Sequence, residues 1–442
     1  MPLSEPPWIS RDRSFWGMTA TQFLGAFNDN LFKQLTLLLC VEYAARSQAS
    51  GDIYQATAQG LFAVPFVLFS GFGGYLSDRT TKRKIVVLCK VAEIGVMLVG
   101  IVAFRSGELS SLLVVLFLMG TQSAFFGPAK YGILPEMLRG RDLPAGNGVI
   151  QMTTFLAIIF GTAIAGYLKQ WLLPGRLWMV SLFCVAIAVV GTLTSLLVRR
   201  TPVAHPNLPF QPSALWINPQ TRSLLRRDRP LLGVLLVSSL FWLVGGVVLP
   251  TVNAFGKRQM EISDGRTSLL ATCMGVGIAL GCLLAGKLSK KQVRFELMTV
   301  GAWGIVACFA AVAVIGLSYP YDPKKVIAEV PLESLSAMLV PASAGELLVR
   351  LGLTGLGLFA GLFVVPMQVF LQARPPEDQK GRMIGAMNLI NWIGILASAG
   401  FFYLCTALLD LAALPVSWTF AATGLLMLPV ALFYRPKDEI LE

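Results

Sequence analysis

GAFNDNLFKQL, residues 25–35, places Asn28, Asp29, Asn30 and Lys33 inside a run that is otherwise apolar from Phe23 to Val41. A charged group at bilayer depth is costly and is retained where it faces protein or water. The stretch therefore either lies outside a membrane or marks a site within one. Composition decides between the two. With 55% hydrophobic residues, 14% charged residues and a mean hydropathy of +0.68, the chain is far more apolar than a soluble domain. It reads as an all-α integral membrane protein, and 442 residues leave room for about a dozen helices of about 20 residues each.

Twelve spans are expected, near 15–41, 56–77, 84–104, 110–134, 144–168, 177–198, 231–255, 267–287, 295–316, 346–371, 382–408 and 416–434. A polar, proline-rich insert containing TPVAHPNLPFQPS separates the first six from the last six. The division is an N-terminal bundle over 1–198, a cytoplasmic linker over 199–229 and a C-terminal bundle over 230–442, with the insert too poor in apolar periodicity for a domain. About 24 of the 36 Lys and Arg fall on one side of this arrangement and about nine on the other. Both termini are therefore expected in the cytoplasm. The net charge of +12 follows from this bias and from anionic lipid headgroups, so no nucleic-acid partner is expected.

Seven cysteines lie in or at the ends of apolar spans with no CxxC pair, which points to small packing residues rather than disulfides or metal ligands. His205 stands alone in the linker, and HPNLPF ends in Phe210 where an HxxxxD acyltransferase motif needs aspartate. Neither an enzyme nor a cofactor is expected. The loop over 318–346, on the opposite side from the termini, is expected to include a short amphipathic helix at the membrane surface.

Two echoes suggest a duplicated six-helix unit. GGYLSDRTTKRK, from Gly73, returns as AGKLSKKQVR from Ala285, with Gly74 matching Gly286 and Asp78 replaced by Lys290. FFGPAKYGILPEML is echoed by FVVPMQVFLQARPP at the corresponding place in the second half. The first echo is similar to the GxLxDRxGRR loop between helices 2 and 3 of the major facilitator superfamily, carried here by Gly74, Leu76, Asp78, Arg79, Lys82, Arg83 and Lys84, with Thr81 at the second glycine position. The resemblance implies two six-helix bundles rocking about a central site, and makes Gly74, Asp78 and Arg79 candidates for a conformational latch. Glycine allows close helix approach, while an aspartate can cap a neighbouring helix and pair with arginine.

AFNDNLFK, taken with GPAKYGILPEMLRGRDLPAGNGVIQMTTFLAIIFGTAIAG, closely resembles the lysophospholipid transporter family of LplT type, and above all the transporter portion fused to acylglycerophosphoethanolamine acyltransferases. The likeness is strong over the first five helices, with SLFWLVGGVVLP and MNLINWIG similar but less diagnostic. It implies a lysophospholipid substrate, such as lysophosphatidylethanolamine, moved inward across the cytoplasmic membrane for reacylation. No acyltransferase domain is expected after Glu442, so the enzyme would be a separate cytoplasmic partner, and the transporter itself is expected to be a monomer among membrane lipids.

The residues support a polar site on their own account. Gln22, Asp29 and Lys33 fall on one stripe of the first helix, with Gly25 and Ala26 on the same side and Asn28 and Asn30 flanking it. Lys90 and Glu93 share a face of the third helix, and Lys130 follows Gly127 and Pro128 in the fourth. Asn147 and Gln151 start the fifth helix, and Asn388 with Asn391 lies in the eleventh. These are the candidate substrate-binding residues, with Lys130 for a phosphate and Asp29 for an amine. Simpler roles stand beside each: an Asp29–Lys33 or Lys90–Glu93 ion pair, a Lys130 that snorkels, and amides that only bond helix to helix. An ion-coupled exporter of amphipathic drugs or metabolites is the alternative function, favoured if Asp29 or Glu93 must take up a proton.

Overall fold

Hydrocarbon offers the backbone no water, so a spanning segment must bond internally, and the apolar runs of this chain do so as helices. The structure, a computed structural model, describes residues 8–47, 51–172, 174–210, 212–289, 292–321 and 335–440. Its long helices are α1 (Arg13–Ser47), α2 (Gly51–Arg79), α3 (Lys82–Ser106), α4 (Leu109–Gly132), α5 (Leu143–Trp171), α6 (Trp178–Ser195), α7 (Arg229–Arg258), α8 (Asp264–Ser289), α9 (Phe295–Gly316), α10 (Ala344–Ala373), α11 (Lys380–Leu411) and α12 (Trp418–Phe433). Among the described residues, ten helices are long and apolar enough to cross a membrane; α12 is shorter, and α1 carries the polar FNDN stretch. The expected all-helical membrane architecture is borne out. Several helices overrun the expected bounds, because a helix continues past the apolar run that signals it wherever a polar turn still bonds internally.

Within the first half, α2 packs on α4, α1 on α5 and α6, and α3 on α4 and α6. In the second half, α10 packs on α8 and α9, and α7 on α11. The main joints between the halves are α2 against α11 and α5 against α8, with smaller contacts of α4 with α11 and α5 with α10. Both joints rest on glycine. A Cβ on Gly74 would stand 2.7 Å from the Gly381 carbonyl oxygen and 3.1 Å from Cα of Arg382 and of Gly385. In the second joint, a Cβ on Gly148 would stand 2.6 Å from the Cys282 carbonyl oxygen, and one on Gly286 3.1 Å from the Pro144 carbonyl oxygen. Gly74 and Gly286, matched in the sequence echo, thus occupy equivalent places: each ends the second helix of its half against the start of the fifth helix of the other. Lys290, the counterpart of Asp78, lies outside the described residues.

The insert over 199–229 holds more structure than its composition suggests. A 3-10 turn spans Pro212–Leu215 and a helix spans Pro219–Arg227, capped by the Asn218 side chain, which accepts from Gln220 N at 2.9 Å. Leu208 and Ala214 bury against Tyr75, and Phe210 meets Tyr75 edge-on. The local signals are the Asn–Pro start and a few apolar anchors, which matter only once α2 offers a surface to receive them. Of the loop over 318–346, residues 322–334 lie outside the described ones; the remainder includes a short helix at Leu335–Leu339, whose end is held by Arg266 and Arg350 through carbonyl oxygens from Ala337 to Val340.

Candidate functional site

Between the halves lies a cavity of about 230 Å³. Its wall is built from repeating helix faces: Gln22, Gly25, Ala26 and Asp29 on α1; Ser123, Phe126, Gly127 and Lys130 on α4; Asn388, Asn391, Trp392 and Ile395 on α11. Each set recurs at three- and four-residue spacing, which puts it on one stripe of its helix. Lys130 is only 7% exposed and donates to Gln22 Oε1 at 2.9 Å and Thr154 Oγ1 at 3.1 Å, with the Tyr131 ring 4.9 Å away. Its hydrogen-bond partners are neutral, so its charge is solvated by dipoles and not cancelled. Asp29 faces the same space; its Oδ2 accepts from Ser123 Oγ at 2.7 Å, and its Oδ1 has no hydrogen-bond partner among the described residues. Lys130 and the half-satisfied carboxylate of Asp29 thus line one cavity.

Lys90 also reaches the cavity, with its ammonium 5.1 Å from the centre of the Phe126 ring. It pairs with Glu93 at 2.5 Å, both side chains almost fully buried. Glu93 in turn accepts from Asn28 Nδ2 at 2.8 Å, and the same amide donates to the Cys184 carbonyl at 3.1 Å. Gly25 makes the arrangement possible, since a Cβ there would lie 2.1 Å from Lys90 Nζ. Lys90 is thus both an internal ion-pair partner and a cavity cation, while Glu93 and Asn28 stand behind it.

The remaining candidates divide. Asn388 lines the cavity, and Asn391 lines it while accepting from Ser238 Oγ at 3.0 Å. Asn30 turns back to the Ala26 carbonyl at 2.8 Å, and Lys33 sits 5.0 Å from the Phe62 ring, outside the cavity wall. Gln151 lies behind Tyr131, whose hydroxyl donates to it at 3.4 Å. Asn147 exchanges two bonds with Gln372, at 3.0 and 2.9 Å, and so fastens α5 to α10 across the halves. Sequence reasoning missed Ser123, Thr154, Gln368, Trp242 and Trp392. Ser123 and Trp392 share helical stripes with Lys130 and Asn388, a signal that was present; for Trp242 and Gln368 no local pattern separates them from packing residues.

At the joint between α2 and α11, Asp78 reaches the start of the opposite helix. Its Oδ1 accepts from Gly381 N at 2.6 Å, and its Oδ2 accepts from Arg382 N at 3.1 Å and Arg382 Nε at 2.8 Å. A carboxylate on the open amides of a helix N-terminus is favoured by both charge and helix dipole. The insert joins this contact: His205 N donates to the Asp78 carbonyl at 2.8 Å, and Arg382 also donates to Gln220. Arg79 stays outside it, exposed and bonded to the Tyr75 hydroxyl one turn back.

Apolar helices in two joined sets, with a charged cavity between them, define a membrane transport protein. The chain belongs to the Major Facilitator Superfamily, whose family model matches residues 18–399. Within it, the chain is similar to the lysophospholipid transporter LplT of Serratia proteamaculans (strain 568), at 26% identity over 413 residues covering 91% of this chain and 90% of the relative. It is likewise similar to LplT of Salmonella gallinarum (strain 287/91 / NCTC 13346), at 28% identity over 417 residues and 90% of each chain. The LplT-type resemblance read from the motifs is thereby borne out along the chain. Among solved structures, the human organic anion transporter MFSD10 (TETRAN) superposes with a TM-score of 0.72 at 16% identity, covering 94% of this chain and 98% of that one. FucP in the outward conformation gives a TM-score of 0.69 at 13% identity, covering 95% and 97%.

Proposed function

We propose that this protein carries lysophospholipids, lysophosphatidylethanolamine in particular, from the outer to the inner leaflet of a bacterial cytoplasmic membrane, where a separate cytoplasmic acyltransferase restores the second chain. In this reading twelve spans form two bundles, 1–198 and 230–442, joined by the cytoplasmic segment 199–229, with both termini in the cytoplasm. The bundles rock about the cavity as a monomer. The observation that carries the proposal is the presence of Lys130 and Asp29 on one cavity, which complements a zwitterionic phosphate and amine. The named function of the LplT relatives supports the same substrate class.

The test is uptake of labelled lysolipids of several headgroups into cells expressing the chain. Lys130→Ala should slow every phosphate-bearing lysolipid by about tenfold or more, the loss expected for one charge-assisted contact. Asp29→Asn should slow lysophosphatidylethanolamine but spare a lysolipid that has no amine. Equal losses across headgroups, together with lowered thermal stability in both variants, would reduce the pair to packing. The unpartnered Oδ1 of Asp29 favours one second reading, an ion-coupled exporter of amphipathic molecules. A strict requirement for a proton gradient, lost in Asp29→Asn, would select it.

A further inference from the structure

Beside the charged cavity, in the second half, lies an apolar pocket of about 220 Å³, and the two share Trp242 and Ile395 as a common wall. Helices α7 to α11 form most of it, with Phe155 of α5 entering from the first half. Apart from the indole N–H of Trp242, the lining side chains are hydrocarbon, aromatic or thioether, among them Phe241, Met274, Phe309 and Leu356. Space of this kind is costly to leave empty, because the lining atoms forgo their packing contacts, and with no polar partners it does not hold water well. At Gly245 the wall stays open: a Cβ there would meet nothing within 4 Å. A larger residue at this mid-helix position would fill space and favour the helix, yet the chain has glycine.

We infer that this pocket takes the single acyl chain of the amphiphile whose headgroup occupies the charged cavity. The inference rests on the lysophospholipid reading above and extends it: the tail is held inside the protein, not left among the lipid tails. Three observations carry it. The pocket adjoins the headgroup cavity, with Trp242 and Ile395 lining both, its lining is apolar where the cavity's is charged, and glycine keeps its wall open. Because lipid tails are themselves apolar, the pocket gains little from water exclusion. What it contributes is selection and alignment: the pocket has room for part of one chain beside the bound headgroup, and the second chain of a diacyl lipid would have to lie elsewhere.

The probe is a long-chain lysophosphatidylethanolamine carrying a photoreactive diazirine near the end of its tail, applied to the purified full-length protein. Light should attach it to pocket residues such as Phe155, Met274 or Phe309. Gly245→Phe, which fills the pocket, should weaken binding of the long-chain probe by about tenfold, and Gly245→Leu by an intermediate factor. Glycerophosphoethanolamine, which has the headgroup and no chain, should bind wild type and both variants alike. Adducts confined to lipid-facing residues, or undiminished probe binding in Gly245→Phe with an unchanged melting temperature, would overturn the assignment. Uptake separates the two ideas: pocket adducts without uptake leave the tail site standing and remove the transport reading, whereas normal uptake in Gly245→Phe does the reverse.

Discussion

Replacing Asp78 by asparagine tests how the two halves are held together at the α2–α11 joint. The carboxylate accepts three hydrogen bonds, from Gly381 N at 2.6 Å, Arg382 N at 3.1 Å and Arg382 Nε at 2.8 Å. A bond to a charged group contributes about 1.5–3 kcal/mol. Asparagine keeps the shape but has one acceptor oxygen, and its amide turns donors toward either the Gly381 N–H or Arg382. Losing the charge and at least one bond should cost on the order of 3 kcal/mol, which is about a hundredfold in an equilibrium constant. These bonds form only while the halves are joined at this end, so the loss falls on the balance between joined and separated states. Cys282 offers the readout. It is buried at the α5–α8 joint, where its carbonyl oxygen packs against Gly148. In a variant keeping Cys282 as its sole cysteine, Asp78→Asn should speed alkylation by a membrane-permeant maleimide by up to about a hundredfold. Substrate turnover should fall more than substrate affinity. Unchanged alkylation and unchanged uptake, at equal amounts of folded protein, would remove Asp78 from the mechanism.

Two further predictions follow from the same packing. Glu93→Gln leaves Lys90 buried without its counter-charge and should destabilise the protein by about 3–5 kcal/mol, whereas replacing both residues by apolar ones of similar volume should cost less; thermal unfolding of the two variants checks the order. Gly74→Val sets a branched side chain against the Gly381 carbonyl oxygen and should force α2 from α11, raising Cys282 alkylation while leaving Asp78 intact; an unaltered rate would show that the joint tolerates the added volume.

The helices were legible because hydrocarbon imposes one requirement on every segment, that its backbone bond within itself, and long apolar runs announce where this happens. The polar stretch on α1 was legible for the complementary reason: a charged group at depth needs protein or water beside it. That reasoning found Asp29 and Lys130, which share the cavity, but it could not separate them from Asn30 and Lys33. Those two lie within a few residues of Asp29, yet Asn30 bonds to its own helix and Lys33 sits over Phe62. Periodicity places a residue on a face, while the neighbouring helix decides what that face meets.

By itself, the sequence determined the membrane-spanning character of the chain, the motif that ends α2, and the stripes of polar groups on α1 and α4. Each of these is local, set by hydropathy, by helical spacing or by glycine in a short loop. The tertiary structure alone decided that Asp78 would meet the start of α11, that Asn147 would fasten two halves where substrate contact was expected, and that a charged cavity and an apolar pocket would share Trp242 as a wall. These relations join residues as far as 304 positions apart, as Asp78 and Arg382 are. They depend on which helices can approach closely enough to touch, and that approach is governed by pairs of glycines whose partners lie in the other half of the chain.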